Sequence, residues 1–272
     1  IRSCLLSYGV DVDVVETRGA GDAAAAARGA AEAGHLRVVV AGGDGTVNEA
    51  LCGLANGRVP LAIIPVGTVN ALAINLGLQP GDVDTACRAV AHGEVRRMDL
   101  GSVNGRHFAN MAGVGLDALI VQDATGPVKA MFGRYAFIGV GLGHLARLEP
   151  WRYEATIDGA RHSGEMWMLL IGNTPQYTWR VVLSPDAAPD DGLLEFAFIG
   201  GCNRAEFLRI VMDTMALGKS VAGSPYVHTI RGRDMQLHTD PPARWQVDGE
   251  LGGLTPLQCT NRAGALPVIA PA

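Results

Sequence analysis

The chain lacks the features that mark several large protein classes. Its 22 lysines and arginines are outnumbered by 27 acidic residues, for a formal net charge of −5. A nucleic-acid-binding protein, whose surface would be basic, is therefore disfavoured. No apolar run approaches the roughly 20 residues that a membrane-spanning helix needs, so we expect no transmembrane segment. We also find no internal repeat and no low-complexity tract.

Cysteine and histidine are present without the spacing that metal sites require. The five cysteines are scattered and form no C-x-x-C pair, and the seven histidines do not cluster. An odd number of dispersed cysteines indicates reduced, buried thiols in a cytoplasmic protein. Peripheral membrane association stays open, because it needs only a local basic and apolar patch.

The composition is that of a well-buried globular protein. The chain has 272 residues, of which 48% are hydrophobic and 18% charged, with a mean hydropathy of +0.18. This length suits one large domain or two ordinary ones. Near residue 98 the predicted pattern changes from alternating strands and helices to mostly short strands, and we place the boundary between domains 1–98 and 99–272 there. The extreme C-terminus is a candidate for packing back on the first domain.

Strands and helices alternate in the first domain, which predicts a parallel sheet covered on both faces. Its predicted elements are helices at 1–8, 21–34, 47–56, 70–76 and 82–92 and strands at 10–17, 36–41 and 61–65. Short strands separated by Gly, Pro, Asn and Asp turns predict an antiparallel sandwich with helical insertions in the second domain. Its predicted strands are 99–103, 107–110, 151–157, 166–173, 181–185, 193–199, 235–239 and 244–248, with helices at 128–148 and 204–217.

The stretch 36–49 is the organising feature of the first domain. An apolar run reads as a buried strand, and the glycines that follow it let the backbone approach a ligand closely. Thr46 is the expected N-cap of the next helix, with Glu49 completing a capping box. The N–H groups at such a helix start attract phosphate, although a tight turn that needs glycine is the alternative. Asp44 would repel phosphate unless it held a metal ion, a ribose hydroxyl or water.

Five motifs in order resemble the diacylglycerol kinase catalytic-domain family, in its bacterial and sphingosine-kinase-like forms. They are GGDGTVNE at 42–49, PVGTVNALA at 65–73, NMAGVGLDA at 110–118, SPDAAPDDGLL at 184–194 and VDGE at 247–250. The resemblance implies an α/β N-terminal domain, with a parallel sheet like that of NAD kinases and phosphofructokinases. It also implies a β-rich antiparallel C-terminal domain for the lipid, with the active site in the cleft between the domains.

The activity that the resemblance implies is an ATP- and Mg²⁺-dependent transfer of the γ-phosphate to a lipid hydroxyl at a membrane surface. Diacylglycerol is the first guess for the acceptor, followed by a sphingoid base or another lipid. The nucleotide residues carried over by resemblance are Thr17, Gly43, Asp44, Gly45, Thr46, Val47, Asn48, Glu49, Thr68 and Asp99. For Thr68, phosphate binding and simple N-capping are both open on the residues alone.

The family implies two further sites. Glu250 is nominated as the base that takes the proton of the lipid hydroxyl, with Asp248 beside it, although Asp-Gly is also a common hairpin turn. A structural magnesium is implied at Asp191 with the carbonyls of Ala188 and Leu193; a solvated acidic turn is the alternative. In bacterial relatives three aspartates form a water-and-magnesium network, of which Asp44 and Asp99 match two. The third position holds Ala71, which leaves the details of that network open.

Several alternatives and expectations remain open on the sequence. An NAD-kinase-like enzyme is the rival activity, and a nucleotide- or lipid-binding protein without turnover is the non-enzymatic reading. The stretch 129–138 joins basic to apolar residues and is either a membrane-facing surface or a packed helix. Residues 177–180 replace a glycine pair usual in the family. We expect the family's first strand and its N-P-x-S-G turn to precede Ile1. The oligomeric state, a homodimer among the options, is undetermined.

Overall fold

The computed structural model describes residues 1–55, 57–124, 135–176, 182–183 and 186–272. The chain divides into two compact units. Unit 1 comprises Ile1–Leu100, Pro189–Gly192 and Arg262–Ala272, and unit 2 comprises Gly101–Ala188 and Leu193–Asn261. Within the described ranges, no helix is both long enough and apolar enough to cross a bilayer.

The elements follow one another along the chain in this order: α1 (Arg2–Ser7), α2 (Asp22–Glu32), β1 (Val38–Gly42), α3 (Asp44–Leu54), β2 (Leu61–Pro65), α4 (Ala71–Asn75), α5 (Val83–His92), β3 (Glu94–Val103), β4 (Arg106–Phe108), β5 (Met111–Gly115), α6 (Leu116–Asp123), α7 (Tyr135–Leu145), β6 (Trp151–Ile157), β7 (Ala160–Met166), β8 (Met168–Gly172), β9 (Leu194–Ile199), α8 (Arg204–Leu217), β10 (Val227–Gly232), β11 (Asp234–Asp240), β12 (Arg244–Val247), β13 (Glu250–Leu254) and β14 (Leu257–Ala270).

A parallel sheet forms the centre of unit 1, as the sequence predicts. β1 pairs with β2 in parallel from Val38 opposite Leu61 to Gly42 opposite Pro65. The second half of β14 adds a parallel neighbour on the other side of β2, with Val268 opposite Leu61. All five residues of β2 are buried, which explains why its sequence is a continuous apolar run and does not alternate.

The strand predicted at 10–17 is wrong. The chain there is irregular, and Val14 and Val15 are 63% and 69% exposed. Alternating valines predict a strand only where a neighbouring strand pairs the backbone and a core covers one face. Within the described residues this segment has neither.

Two antiparallel sheets form unit 2, which confirms the predicted sandwich. One runs β14–β11–β6–β7, using the first half of β14, and the other runs β10–β9–β8–β5–β12–β13. β6 shows the expected period of two, because Trp151, Tyr153, Ala155 and Ile157 are buried and the residues between them are more exposed. The large rings of the core include Phe108, Trp151, Tyr153, Phe196, Phe198 and Trp245.

A second apolar cluster packs helices against the β5–β8–β9 sheet. It includes Met111, Leu116, Leu145, Trp167, Leu170 and Phe207. α8 has the predicted bounds because both of its ends are encoded locally. Asn203 and Glu206 form a capping box at its start, and Gly218 ends it in the left-handed conformation.

Some strands of unit 2 escape prediction from the sequence. β5, β7, β10 and β13 have no predicted counterpart, and neither has the long strand β14. β7 is the edge of its sheet and is largely exposed, so its sequence carries little apolar alternation. Part of the predicted helix (128–134), the altered segment 177–180 and most of the predicted strand 181–185 lie outside the described residues.

Candidate functional site

The first glycine turn of unit 1 joins β1 directly to α3. Gly43 is extended, with φ −97° and ψ −177°, and it is the N-cap of α3 without a side-chain hydrogen bond. The predicted N-cap at Thr46 is therefore wrong, because the helix already begins at Asp44. The predicted capping box is also absent. Glu49 Oε2 instead accepts the N–H of Ala23 at 3.2 Å, near the start of α2.

A second glycine turn, after β2, packs on the first one backbone to backbone. A Cβ atom at Gly67 would clash with the Cα of Gly43. Asn70, which has a left-handed φ of 56°, donates its Nδ2–H to the carbonyl of Gly42 at 2.8 Å. This approach requires glycine at position 67, whereas a Cβ atom at Gly43 would make only an ordinary contact with Gly67.

The carboxylate of Asp44 holds the two turns together. Although Asp44 is the first residue of α3, its oxygens accept the N–H groups of Asn70 at 2.9 Å and of Ala71 at 2.7 Å. It therefore acts across the turns as the cap of α4, and a carboxylate at a helix N-terminus is also favoured by the helix dipole. Position 71 holds alanine where bacterial relatives have an aspartate. This difference leaves the contact with Asp44 intact, because the backbone N–H of Ala71 is the donor.

Donor groups for an anion are present at the first turn. The N–H groups of Asp44, Gly45 and Thr46 precede the first intrahelical bond of α3, which the N–H of Val47 makes to the carbonyl of Gly43 at 3.1 Å. Gly45 is exposed, whereas the side chain of Val47 is buried in the core and its N–H is already bonded to Gly43.

Two buried amide oxygens lie in the same part of unit 1. Asn48 is 5% exposed and Asn70 1%, and the Oδ1 of each has no hydrogen-bond partner among the described residues. Buried polar atoms without partners are uncommon and often mark a place for water, an ion or a ligand. Thr68 is exposed beside the second turn. Thr17 is exposed in an irregular stretch and does not end a strand.

Asp99 fixes a different turn in unit 1. It is 1% exposed, and its carboxylate accepts the N–H groups of Gly192 at 2.6 Å and Gly264 at 2.7 Å. Its own N–H donates to the carbonyl of Pro189 at 2.6 Å. These bonds define the shape of the 189–192 turn, which carries Asp191.

The donor set proposed for magnesium consists of oxygens only. The carboxylate of Asp191 and the carbonyls of Ala188 and Leu193 are the ligand types that a hard cation prefers. Asp44 and Asp99 belong to separate sets of hydrogen bonds, each with both carboxylate oxygens bonded to backbone N–H groups. Over the described ranges, no three His, Cys, Asp or Glu side chains gather as a metal-binding group.

The Asp-Gly pair in unit 2 is a hairpin turn that is anchored by its aspartate. Asp248 and Gly249 join β12 to β13 with φ values of 43° and 85°, the positive pair typical of a type I′ turn. The carboxylate of Asp248 accepts the N–H groups of Ala109, Asn110 and Met111 at 2.8, 3.1 and 2.9 Å. The Asp-Gly pair of the VDGE motif is therefore also the turn of a hairpin, as the sequence allows.

Glu250 is the first residue of β13 and keeps part of its carboxylate in solvent. Its Oε2 pairs with Nη2 of Arg106 at 2.8 Å, and both side chains are 42% exposed. Its Oε1 makes no hydrogen bond within the described part of the chain. Arg106 also donates to the carbonyl of Leu251 at 2.6 Å and lies 6.0 Å from the ring centre of Trp245.

The sequence did not single out Arg106. Its partner lies 144 residues away along the chain, so no local spacing connects the two. The only signal was its place after the Asn104-Gly105 turn, one residue before the predicted strand 107–110.

A buried acid and amide pair also escaped the sequence assignment. Asp117 and Gln246 are each 1% exposed, and Gln246 Nε2 donates to Asp117 Oδ2 at 2.8 Å. A Cβ atom at Gly113 would overlap the carboxylate of Asp117, so this glycine makes room for it. Asp117 stood in the motif at 110–118, but only the tertiary contact shows its partner.

Comparison with protein families identifies the class that this architecture represents. Residues 1–103 match the model of the diacylglycerol kinase catalytic domain. Residues 110–270 match that of the YegS C-terminal NAD kinase beta sandwich-like domain. An α/β unit with this glycine turn, combined with this sandwich, defines a lipid kinase of the diacylglycerol kinase type.

Individual relatives agree with the family models. The chain is 34% identical to a diacylglycerol kinase of Bacillus subtilis over 97% of this chain and 87% of the relative. It is 29% identical to a diacylglycerol kinase of Staphylococcus saprophyticus, over 97% and 86%. A solved structure of a diacylglycerol kinase from Bacillus anthracis superimposes with a TM-score of 0.79 at 25% identity, covering 98% of this chain and 88% of that one. The chain belongs to the diacylglycerol kinase family.

Proposed function

We propose that this kinase transfers the γ-phosphate of ATP to the free hydroxyl of diacylglycerol, with Glu250 as the base. The observation that carries the assignment is the anchored turn at the start of β13. Asp248 uses both carboxylate oxygens to bind three backbone N–H groups, whereas Glu250 has an oxygen left to accept a proton. The two neighbouring acids therefore have different tasks: Asp248 positions the turn, and Glu250 reacts.

The nucleotide is assigned to the paired glycine turns of unit 1. The N–H groups at the start of α3 would donate to the phosphate oxygens, as helix N-termini do for bound anions. Asp44 keeps the two turns in register through Asn70 and Ala71. We assign phosphate and ribose contacts to Gly43, Gly45, Thr46, Asn48, Glu49 and Thr68, and further nucleotide contact to Thr17. Val47, whose N–H is bonded to Gly43, positions the first turn of α3.

In the reaction, the oxygen of the lipid hydroxyl forms a bond to the γ-phosphorus as its proton passes to the Glu250 carboxylate. The bond between this phosphorus and the β–γ bridging oxygen breaks, and ADP leaves with that oxygen. Positioning and charge stabilisation supply most of the rate in such transfers, because the transition state requires little covalent help from the protein. Arg106 orients the carboxylate through its contact with Oε2.

The oxygen atoms of the turn around Asp191 are of the kind that binds magnesium. Asp191, with the carbonyls of Ala188 and Leu193, would hold it in a turn whose backbone Asp99 already fixes. Bound there, the ion would stabilise the turn. A magnesium ion that travels with ATP would neutralise phosphate charge, which is the usual role of the ion in kinases.

An apolar surface on unit 2 supports contact with a membrane, where the lipid acceptor lies. Leu142 of α7 and Leu208 and Met212 of α8 are 44%, 36% and 55% exposed. A hollow of about 270 Å³ between the helices is lined by Leu142, Leu145, Ala146, Arg204, Ala205 and Leu208. Exposed apolar side chains on adjacent helices are favoured at a bilayer surface. The sequence leaves the stretch 129–138 open as either a membrane-facing surface or a packed helix, and residues 129–134 and the side chains of 135–138 lie outside the described part.

The test measures ATP turnover on dioleoylglycerol in mixed micelles for Glu250→Gln and Asp248→Asn. We expect Glu250→Gln to fold normally and to lose at least roughly a hundredfold in kcat, as removal of a general base does. Asp248→Asn should lower both stability and activity, because it weakens three backbone contacts. Full activity of a folded Glu250→Gln protein would contradict the assignment. NAD and sphingosine as acceptors complete the panel, and turnover of either in place of dioleoylglycerol would reassign the substrate.

A further inference from the structure

The buried amide of Gln246 connects a buried acid to the turn that carries the proposed base. Its Nε2 donates to Asp117 Oδ2 at 2.8 Å, and its Oε1 accepts the N–H of Gly249 at 2.7 Å. Gly249 immediately precedes Glu250. The side chain of Gln246, on β12, thus links α6 to the turn that precedes β13.

The surroundings of this amide are built to hold it. Gln246 lies opposite Gly113 in the β12–β5 pairing. A side chain at Gly113 would collide with the carboxylate of Asp117 and crowd Gln246. With both Asp117 and Gln246 at 1% exposure, water does not compete for these hydrogen bonds. A glutamine here satisfies an acceptor and a donor at once, which no apolar residue of that size can do.

We propose that Gln246 is a positioning residue for phosphoryl transfer, fixing the direction of Glu250 by tying the Gly249 peptide to Asp117. The proposal rests on the proposed function, in which Glu250 is the base. Without the tie, the left-handed Asp248-Gly249 turn keeps its anchor at Asp248, but the N–H of Gly249, in the peptide between the two turn residues, loses its acceptor. Glu250 would then sample directions away from the lipid hydroxyl while the fold persists.

Removal of the amide provides the first test. Gln246→Leu should lower kcat on dioleoylglycerol roughly 10- to 100-fold, the range expected when a reacting group is displaced by about 1 Å. The KM for ATP should stay within about twofold, because the proposed nucleotide turns belong to unit 1. Gln236→Leu, the same change at an exposed position of β11, is the matched control and should leave kcat unchanged.

A second variant gives a readout that general destabilisation would not produce. Gln246→Glu keeps the shape and the acceptor for Gly249 but places a second carboxyl against Asp117. Two carboxyls at hydrogen-bond distance share a proton at low pH and repel each other once both ionise. Among the described elements packed against β12, the charged or titratable groups are Asp117 and Asp123 on α6, Arg106 and His107 on β4 and Glu250 on β13; β12 itself carries Arg244.

The kcat of Gln246→Glu relative to the unmodified chain should therefore fall roughly tenfold as the pH rises from about 6 to about 8. If the ratio of the two kcat values does not change with pH, the proposal is overturned. This test does not depend on whether Gln246→Leu folds. The proposal also fails if folded Gln246→Leu keeps its kcat while Glu250→Gln is inactive, and in that case the proposed function stands. Full activity of Glu250→Gln would instead remove the proposed function.

Discussion

The carboxylate of Asp44 offers the sharpest test of how the two glycine turns, the proposed phosphate site, are held together. Asp44→Ala removes the acceptor of two backbone N–H groups at the start of α4, which lie 2.9 and 2.7 Å from it. Hydrogen bonds to a charged acceptor contribute about 1.5–3 kcal/mol each, and loss of a helix cap costs about 1 kcal/mol. Because the site is only partly buried, we expect a total of about 2–4 kcal/mol.

Asp44→Asn should cost about half as much, because the amide retains one oxygen acceptor. At about 2–4 °C per kcal/mol for a chain of this size, Asp44→Ala lowers the thermal midpoint by roughly 5–15 °C. The two units need not unfold together, so a single free energy of unfolding is not well defined. Amide hydrogen exchange at α4 is therefore the primary measurement, and we expect the Asn70 and Ala71 amides to lose protection first.

Asp82→Ala is the matched control for this prediction. Asp82 caps α5 in the same unit by accepting the N–H of Thr85 at 3.1 Å. Its removal should cost about 1 kcal/mol and leave the KM for ATP unchanged, whereas Asp44→Asn should raise that KM. Our reasoning is refuted if Asp44→Ala leaves the exchange of the α4 amides at the level of the unmodified chain. A thermal shift no larger than that of Asp82→Ala would refute it equally.

Three further predictions follow from local contacts. Gly67→Ala should weaken ATP binding by at least about tenfold, because its Cβ clashes with the Gly43 backbone; unchanged binding, measured by calorimetry, would contradict the close packing. Asn203→Ala should cost about 0.5–2 kcal/mol through loss of the α8 capping box, seen as a lower thermal midpoint. Burial raises the pKa of the Cys87 thiol to about 11, so this thiol stays protonated at a pH of about 8. A thiol reagent should therefore modify the exposed Cys52 well before Cys87.

Local features of the sequence predicted the elements whose ends are encoded nearby. α8 begins at an Asn-Glu capping box and ends at a glycine, and its predicted bounds match the structure. The Asn104-Gly105 hairpin and the apolar strand β2 are of the same kind. By contrast, the alternation of valines between 10 and 17 predicted a strand that is absent, because alternation says nothing about whether a pairing partner exists.

In the candidate site, too, the sequence predicted local features but not contacts between distant residues. The motifs in order were sufficient to indicate the family, the glycine turns and the acid at 250, because close backbone approach and hairpin turns restrict the residue type locally. The roles within each motif were not visible. Asp44 reaches the backbone 26 residues away, and Asp248 reaches that of 109–111 from the far end of unit 2.

By itself, the sequence determined the class of enzyme and the position of its turns, since both depend on residues adjacent in the chain. Only the tertiary structure decided that Arg106 pairs with Glu250 and that Gln246 joins Asp117 to Gly249. Arg106 and Glu250 are 144 positions apart in the chain, and Asp117 and Gln246 are 129 positions apart. A hydrogen bond is set by atoms that folding brings within about 3 Å, and no spacing along the chain encodes that distance.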